Sequence, residues 1–202
     1  MDVQRIEDGL WRWTAPHPDW KQGDDWDRDV GCVYWEADDA VVLVDPLVPE
    51  EHAERERFLD ALDIAVERAG RPVSILLTCE WHARSQAELA ARYDARIVGP
   101  PPKIEGLPGG SAAIAAPTAE EVVYWLPGAR AVVPGDVLLG SEEGLSLCPA
   151  SWLQGRGGLA QVARDLAPLI QFPVERVLTS HGPPVLADGR AALERALAAV
   201  ES

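Results

Sequence analysis

Apolar segments that stop abruptly at a polar residue, and that alternate with amphipathic segments, constrain the fold of this chain more than any other feature. Residues 40–44, "AVVLV", are wholly apolar and stop at Asp45. The following segment, residues 49–70, has apolar residues at helical spacing, acids in its first turn and a glycine at its end, as in a capped amphipathic helix. A strand and a helix follow again over residues 72–93. The alternation predicts an α/β or α+β protein.

The remaining elements are predicted by the same two periodicities. Strands are predicted at residues 9–15, 31–37, 95–99, 121–127, 130–134, 135–140 and 174–180, and helices at residues 158–171 and 189–201. The strands at 121–127 and 130–134 are predicted to form a hairpin that turns at Pro127-Gly128. Residues 100–110 are rich in proline and glycine, which predicts an irregular loop.

Length and charge limit the classes of partner. We predict a single domain over residues 1–202, which is long enough to bury a substantial core. The net charge of -15 argues against binding to nucleic acid or to an anionic membrane, because both require a basic surface. The first residues lack a basic segment followed by an apolar one, and no run of about 18 apolar residues occurs, so neither secretion nor membrane insertion is expected.

The three cysteines indicate a reducing compartment. Cys32, Cys79 and Cys148 are odd in number and far apart, and they form no CxxC pair. This pattern predicts reduced thiols and a cytoplasmic location. Cys79 lies three residues before His82, which leaves a thiolate nucleophile as an alternative to the predicted role of a buried structural cysteine.

Metal-type ligands follow three predicted strands. Glu80 and His82 follow "ILLT", Asp136 follows "AVVPG", and His181 follows "VLTS". Strand ends are places where side chains from distant parts of a chain can converge. Residues 40–45 and 131–136 also share the pattern AVVxxD, which agrees with two similar β-rich halves.

Four motifs, in this order, resemble those of the metallo-β-lactamase fold superfamily. They are "VVLVDPLV", the "ILLT" strand before the ligand segment, "GDVLLG" and "LTSHGPP", and together they cover nearly the whole chain. The resemblance implies a four-layer αββα sandwich with a site at the edge between its two sheets.

The ligand segment departs from that superfamily's pattern. Hydrolytic members carry HxHxDH after the strand, and aligning His82 with the second histidine places Glu80 first, Arg84 in the aspartate position and Ser85 last. A further histidine is expected near residues 117–118 but is missing there. Of the ligand set that the resemblance implies, His82, Asp136 and His181 remain.

These departures predict a divergent protein with an incomplete metal site that binds a small molecule without catalysis or with atypical chemistry. Arg84 is predicted to place a permanent cation where the second metal would lie, since a guanidinium keeps its proton at neutral pH. Asp136 is predicted to pair with Arg84, while Glu80, His82 and His181 form a polar lining. The predicted cofactor is none or a single zinc, and a two-metal centre is not expected.

A mononuclear zinc hydrolase acting on an ester, thioester or lactone is the alternative, so whether the protein is an enzyme stays open. In that case His82, Asp136 and His181 hold the ion, with Glu80 as an additional ligand. Either Asp136 or Glu80 then acts as the general base. A purely structural or interaction module has no positive support in the sequence.

Tryptophans are concentrated near the start of the chain. Trp11 and Trp13 share one face of a strand, which predicts core packing. Trp20 and Trp26 lie in a polar loop, where they are predicted to form an aromatic wall for an apolar or carbohydrate-like ligand. The other two histidines, His17 and His52, are predicted to lie at the surface.

Overall fold

The computed structural model describes residues 1–100 and 104–200. Part of the predicted loop at 100–110 and the last residue of the helix predicted at 189–201 therefore lie outside the described residues. The strands are β1 (Asp2–Glu7), β2 (Leu10–Pro16), β3 (Asp29–Glu36), β4 (Val41–Val44), β5 (Val73–Leu76), β6 (Arg96–Val98), β7 (Ala112–Ala116), β8 (Glu121–Leu126), β9 (Ala131–Val133), β10 (Leu138–Ser141), β11 (Gly144–Leu147) and β12 (Arg176–Val177). The α-helices are α1 (His52–Ala69), α2 (Gln86–Tyr93), α3 (Leu159–Leu166) and α4 (Gly189–Ala198).

Two larger sheets and one hairpin contain these strands. The first sheet has the order β1-β2-β3-β4-β5-β6, antiparallel up to β4 and parallel from β4 to β6. The second sheet has the order β12-β9-β8-β7, in which only β12 and β9 are parallel. Strands β10 and β11 form a separate antiparallel pair.

Three apolar clusters separate four layers. Helices α1 and α2 cover the outer face of the first sheet, where Phe58 and Leu89 pack with Trp13. Residues from both sheets, such as Val42 and Tyr124, fill the space between them. Helices α3 and α4 cover the outer face of the second sheet. The arrangement is the predicted αββα sandwich, and the predicted fold class is confirmed.

Strand β8 shows how sequence periodicity produces these layers. All six of its residues are buried, as expected for a central strand covered on both faces. Val123 and Trp125 belong to the cluster under α3 and α4, whereas Val122, Tyr124 and Leu126 belong to the cluster between the sheets. Side chains that alternate with period two therefore supply two cores from one strand.

The predicted helix at 49–70 and the hairpin at 121–134 are both present. The carboxylate of Glu51 accepts hydrogen bonds from the backbone amides of Ala53 and Glu54, and Gly70 ends α1 in the left-handed conformation. Strands β8 and β9 pair antiparallel around the predicted turn. No helix within residues 1–100 and 104–200 is long and apolar enough to cross a membrane.

Several predicted boundaries are wrong. The helix predicted at 158–171 ends as an α-helix at Leu166, and residues 167–171, which include Pro168, form a 3-10 turn because proline cannot continue the helical hydrogen bonds. The strand predicted at 174–180 contains only the two residues of β12. Strands β1, β7 and β11 were not predicted.

Candidate functional site

The candidate site lies at the edge where strands of both sheets end. Asp45 follows β4, Thr78 and His82 follow β5, Asp136 follows β9, and His181 follows β12. The first two strands belong to the first sheet and the other two belong to the second. The sandwich therefore brings together residues that are distant in the sequence.

The imidazole of His82 is buried between two aspartates. Its Nδ1 lies 2.9 Å from Oδ2 of Asp45, and its Nε2 lies 3.1 Å from Oδ1 of Asp136. These are the two aspartates of the repeated AVVxxD pattern. Burial and the nearby Arg84 act to lower the pKa of His82, but the carboxylates of Asp136 and Asp45 outweigh them and hold it well above its usual value.

Asp45 fixes the start of the segment that carries His82. Its carboxylate accepts hydrogen bonds from the backbone amide of Thr78, at 2.9 Å, and from the Thr78 hydroxyl, at 2.6 Å. The backbone of Asp45 has a φ of 48°, a conformation that costs free energy for a residue other than glycine. The buried contacts of the Asp45 side chain with Thr78 and His82 hold it there.

Asp136 is approached from both sides of its carboxylate. Oδ1 lies near Nε2 of His82 and 3.3 Å from Nε2 of His181, and Oδ2 accepts a 2.8 Å hydrogen bond from the indole of Trp81. Burial acts to raise the pKa of Asp136, but His82 and His181 hold it well below its usual value.

Glu121, at the start of β8, holds the backbone at Asp136 in place through buried hydrogen bonds. Its buried Oε2 accepts hydrogen bonds from the backbone amides of Asp136, at 2.8 Å, and Val137, at 3.1 Å. Burial, and then the charge of Asp136, raise the pKa of Glu121 to about 8. Gly135 is needed here, because a side chain would collide with Glu121 and Thr78.

Arg84 lies beside this cluster, but its partners are not those predicted. The guanidinium donates from Nη1 to the backbone oxygens of Asp45, at 3.1 Å, and Gly31, at 3.4 Å, and from Nη2 to the Ser180 hydroxyl, at 3.1 Å. In the described part of the chain it forms no ion pair with Asp136, so the predicted Arg84–Asp136 pair is wrong. The loop geometry, with a φ of 34° at Arg84, directs the guanidinium toward these carbonyls instead.

Glu80 is not brought into the cluster. It lies in a 3-10 turn and is exposed, whereas the buried carboxylates that contact the cluster belong to Asp45 and Glu121. Glu121 belongs to none of the predicted ligand motifs, although a charged residue that opens the apolar run "EVVYWLP" is a signal for a buried carboxylate.

A cavity of about 320 Å³ opens over His82, Asp136 and His181. Three indoles line it, those of Trp26, Trp81 and Trp152, and Arg84 and His17 contribute as well. His17 was predicted to lie at the surface, but it is partly buried and lines the cavity. Burial, and then the charge of Arg84, lower the pKa of His17. His52 is exposed beside Glu56, as predicted.

The two predicted wall residues have different positions. Trp26 lines the cavity, and its ring meets that of His181 at a centroid distance of 5.7 Å. Trp20 does not line it and instead donates a 2.9 Å hydrogen bond from its indole to the backbone oxygen of Trp26. Trp81 and Trp152, which were not predicted wall residues, complete the aromatic wall.

A second cavity, of about 300 Å³, adjoins the first and shares Trp81, Asp136 and Trp152 with it. Cys148 and Arg156 lie in its lining. Cys79 lines neither cavity and is fully buried, and burial raises the pKa of its thiol to about 12. That environment favours the structural role for Cys79 over a thiolate nucleophile.

The loop that carries His181 is held by a buried arginine, Arg12, which was not predicted as a site residue. Arg12, on β2, donates to the backbone oxygen of Thr179 at 3.0 Å and 3.2 Å, and to that of Gly182 at 3.0 Å. Gly31 leaves room for this guanidinium, since a side chain there would meet it and the Thr179 oxygen.

The residues present do not fit the two-metal zinc centre that the fold resemblance implies. A guanidinium stands at the aspartate position of the ligand segment, and Glu80 is exposed. For one ion the available donors are His82, Asp136 and His181, but Oδ1 of Asp136 already lies 3.1 Å from Nε2 of His82 and 3.3 Å from Nε2 of His181. Within residues 1–100 and 104–200, no group of three or more His, Cys, Asp or Glu side chains is arranged to hold a metal ion.

Comparison with known proteins identifies the fold. No family model and no curated protein matches the sequence. Among solved structures, metallo-beta-lactamase IND-7 is 15% identical with a TM-score of 0.65, over 100% of this chain and 98% of its own. A metallo-beta-lactamase from Erythrobacter litoralis is 16% identical with a TM-score of 0.58, over 98% of this chain and 91% of its own. The four layers, the site at the edge of the sheets and these similarities together show that the chain has the metallo-β-lactamase fold.

Proposed function

We propose that this protein binds a small molecule at the strand-end site without a metal centre and without hydrolysing its ligand. The observation that carries the proposal is the position of Arg84. Its permanent charge lies on the cavity that contains His82, Asp136 and His181, and Asp45 and Ser180 hold it there. A fixed cation beside these donors opposes direct coordination of a doubly charged ion by His82, Asp136 and His181, because a charge of two held next to a guanidinium is repelled strongly where water is partly excluded.

The contacts of Asp136 support the same proposal. Each of its carboxylate oxygens faces a nitrogen of the protein, from His82 and His181 on one side and from Trp81 on the other. The negative charge of Asp136 is therefore compensated by neighbouring imidazoles without a metal ion. The proposal includes no cofactor, a small-molecule ligand, no nucleic-acid or membrane partner, and a cytoplasmic location consistent with three buried, unpaired cysteines.

Elemental analysis and added metal test this proposal. Protein purified without added metal should contain far less than about one zinc per chain, and chelator should leave its unfolding midpoint unchanged, because a bound structural metal contributes to folding free energy. Arg84→Met should bind added Co²⁺ roughly 10-fold or more tightly than the unaltered protein, since the repelling charge is gone. Visible absorption of Co²⁺ measures this binding.

Arg28→Met is the matched control, because Arg28 is an exposed arginine outside the cavity lining. It should leave Co²⁺ affinity unchanged. About one zinc per chain in the unaltered protein, lost in a His82→Ala and His181→Ala double variant, would contradict the metal-free proposal.

That contrary result would favour the second candidate, a mononuclear zinc hydrolase acting on an ester, thioester or lactone. One observation supports it. In the described part of the chain, Oδ1 of Asp136 is buried without a well-aligned hydrogen bond, although His82 and His181 both approach it. Such an oxygen between two imidazoles is the donor set from which a single zinc site could be formed after a small rearrangement.

A further inference from the structure

We propose that the ligand of the 320 Å³ cavity is an organic cation, an ammonium compound with apolar substituents, held by the indoles of Trp26, Trp81 and Trp152. This inference rests on the proposed metal-free function and adds the chemical class of the ligand. It depends on three connected features of the cavity, which are its aromatic wall, the carboxylates that hydrogen-bond to that wall and the balance of charge around it.

The aromatic wall provides the surface that an organic cation prefers. Trp26 and Trp152 both meet the ring of His181 edge-on, at centroid distances of 5.7 Å and 6.0 Å, so both indoles contact one imidazole. Trp81 lies against His82 and is 48% exposed, which is unusual for so large an apolar side chain. The faces of indoles carry negative charge and attract ammonium groups whose substituents are apolar.

Carboxylates hold two of these indoles in place. The Trp152 indole donates to Oδ2 of Asp25 at 2.9 Å, and the Trp81 indole donates to Oδ2 of Asp136 at 2.8 Å. Each hydrogen bond fixes the ring at the cavity and places a negative charge at its edge. Donation to an anion also makes the indole ring more electron-rich, which strengthens its attraction for a cation. Wall and charge are therefore parts of one arrangement.

The balance of charge favours a cation over an anion. Asp19, Asp25 and Asp136 line the cavity, against the guanidinium of Arg84 and the imidazole of His82, whose raised pKa favours its charged form, so the negative groups still outnumber the positive ones. The donors of Arg84 are already directed to Asp45, Gly31 and Ser180, which leaves Nε as its unpaired nitrogen within the described residues. The net charge of the whole chain, -15, also attracts cations toward the opening.

Choline and its uncharged isostere, 3,3-dimethyl-1-butanol, test the inference, because they share a shape and differ in charge. Isothermal titration calorimetry of the full chain should show choline binding at least about 10-fold more tightly than the alcohol. The carboxylate of the same shape, 3,3-dimethylbutanoate, should bind more weakly than choline. Equal binding of choline and the alcohol, tighter binding of the carboxylate, or no binding of any of the three would overturn the inference.

Three variants locate the binding. Asp25→Asn keeps an acceptor for the Trp152 indole but removes a charge, and it should weaken choline binding several-fold, whereas Asp38→Asn, at an exposed turn outside the cavity lining, should not. Trp152→Leu should abolish the preference for choline over the alcohol, and circular dichroism checks that the variant is folded. If the protein contains no metal but the choline results differ from these expectations, only the assignment of an organic cation is rejected. If zinc co-purifies with the protein, the proposed metal-free function is rejected.

Discussion

Replacing Asp45 with alanine is expected to lower the free energy of unfolding by about 3–5 kcal/mol. The substitution leaves three buried polar groups without their acceptor, namely the amide and hydroxyl of Thr78 and Nδ1 of His82. It also removes one of the two charges that bracket the His82 imidazole. Denaturant unfolding followed by tryptophan fluorescence measures the loss.

Asp45→Asn provides a graded comparison, because the amide keeps one acceptor oxygen but cannot accept from all three donors. The free energy of unfolding of Asp45→Asn should lie between that of the alanine variant and that of the unaltered protein. Asp38→Ala, at an exposed position, is the control and should change stability by no more than about 0.5 kcal/mol. A loss in Asp45→Ala as small as in that control would show that the Asp45 contacts do not stabilise the fold.

Replacing Arg12 with methionine is expected to cost about 2–4 kcal/mol, the second large effect. Methionine fills much of the space of the arginine stem but donates no hydrogen bond, so the carbonyls of Thr179 and Gly182 lose their buried partner. Because those residues flank Ser180 and His181, the site should also be disturbed. Denaturant unfolding measures the loss of stability, and the NMR chemical shifts of the His181 ring measure the disturbance of the site.

Arg5→Met on the neighbouring strand β1 is the matched control, since Arg5 is exposed and pairs with the exposed Asp8. Surface ion pairs of this kind contribute at most about 1 kcal/mol. The His181 resonances should not move in that variant. If Arg12→Met and Arg5→Met were equally stable, the buried arginine would not be what holds the His181 loop.

Periodicity predicted most strands and helices, because buried strands and capped helices leave a strong pattern in the sequence, whereas the αββα sandwich was predicted from the resemblance to the metallo-β-lactamase fold superfamily. Strand β4 and helix α1 are examples, each with apolar residues on every face that it buries. Strand β1 was missed because its sequence, "DVQRIE", is largely polar and exposed, and its pairing with β2 rather than its side chains makes it a strand. Strand β7 was missed because alanines give little β signal.

Motif spacing predicted three members of the site. His82, Asp136 and His181 do meet, since each follows a strand that ends at the same edge. The spacing did not predict Glu121, which reaches the site from the first residue of β8, nor Trp152, which reaches it from a 3-10 turn between β11 and α3. Neither residue belongs to a motif, so only its position in space connects it to the cluster.

The sequence by itself determined the strands, the helices and the strand ends that carry the candidate site residues, because hydrophobic periodicity and turn residues act locally along the chain. Only the tertiary structure decided the partners within the site. Asp45 and Asp136 come from different sheets, yet they face the two nitrogens of one imidazole, and Arg84 turns to backbone carbonyls rather than to Asp136. Which groups meet depends on how two sheets pack and where loops direct their side chains, and one segment's residue types do not encode that geometry.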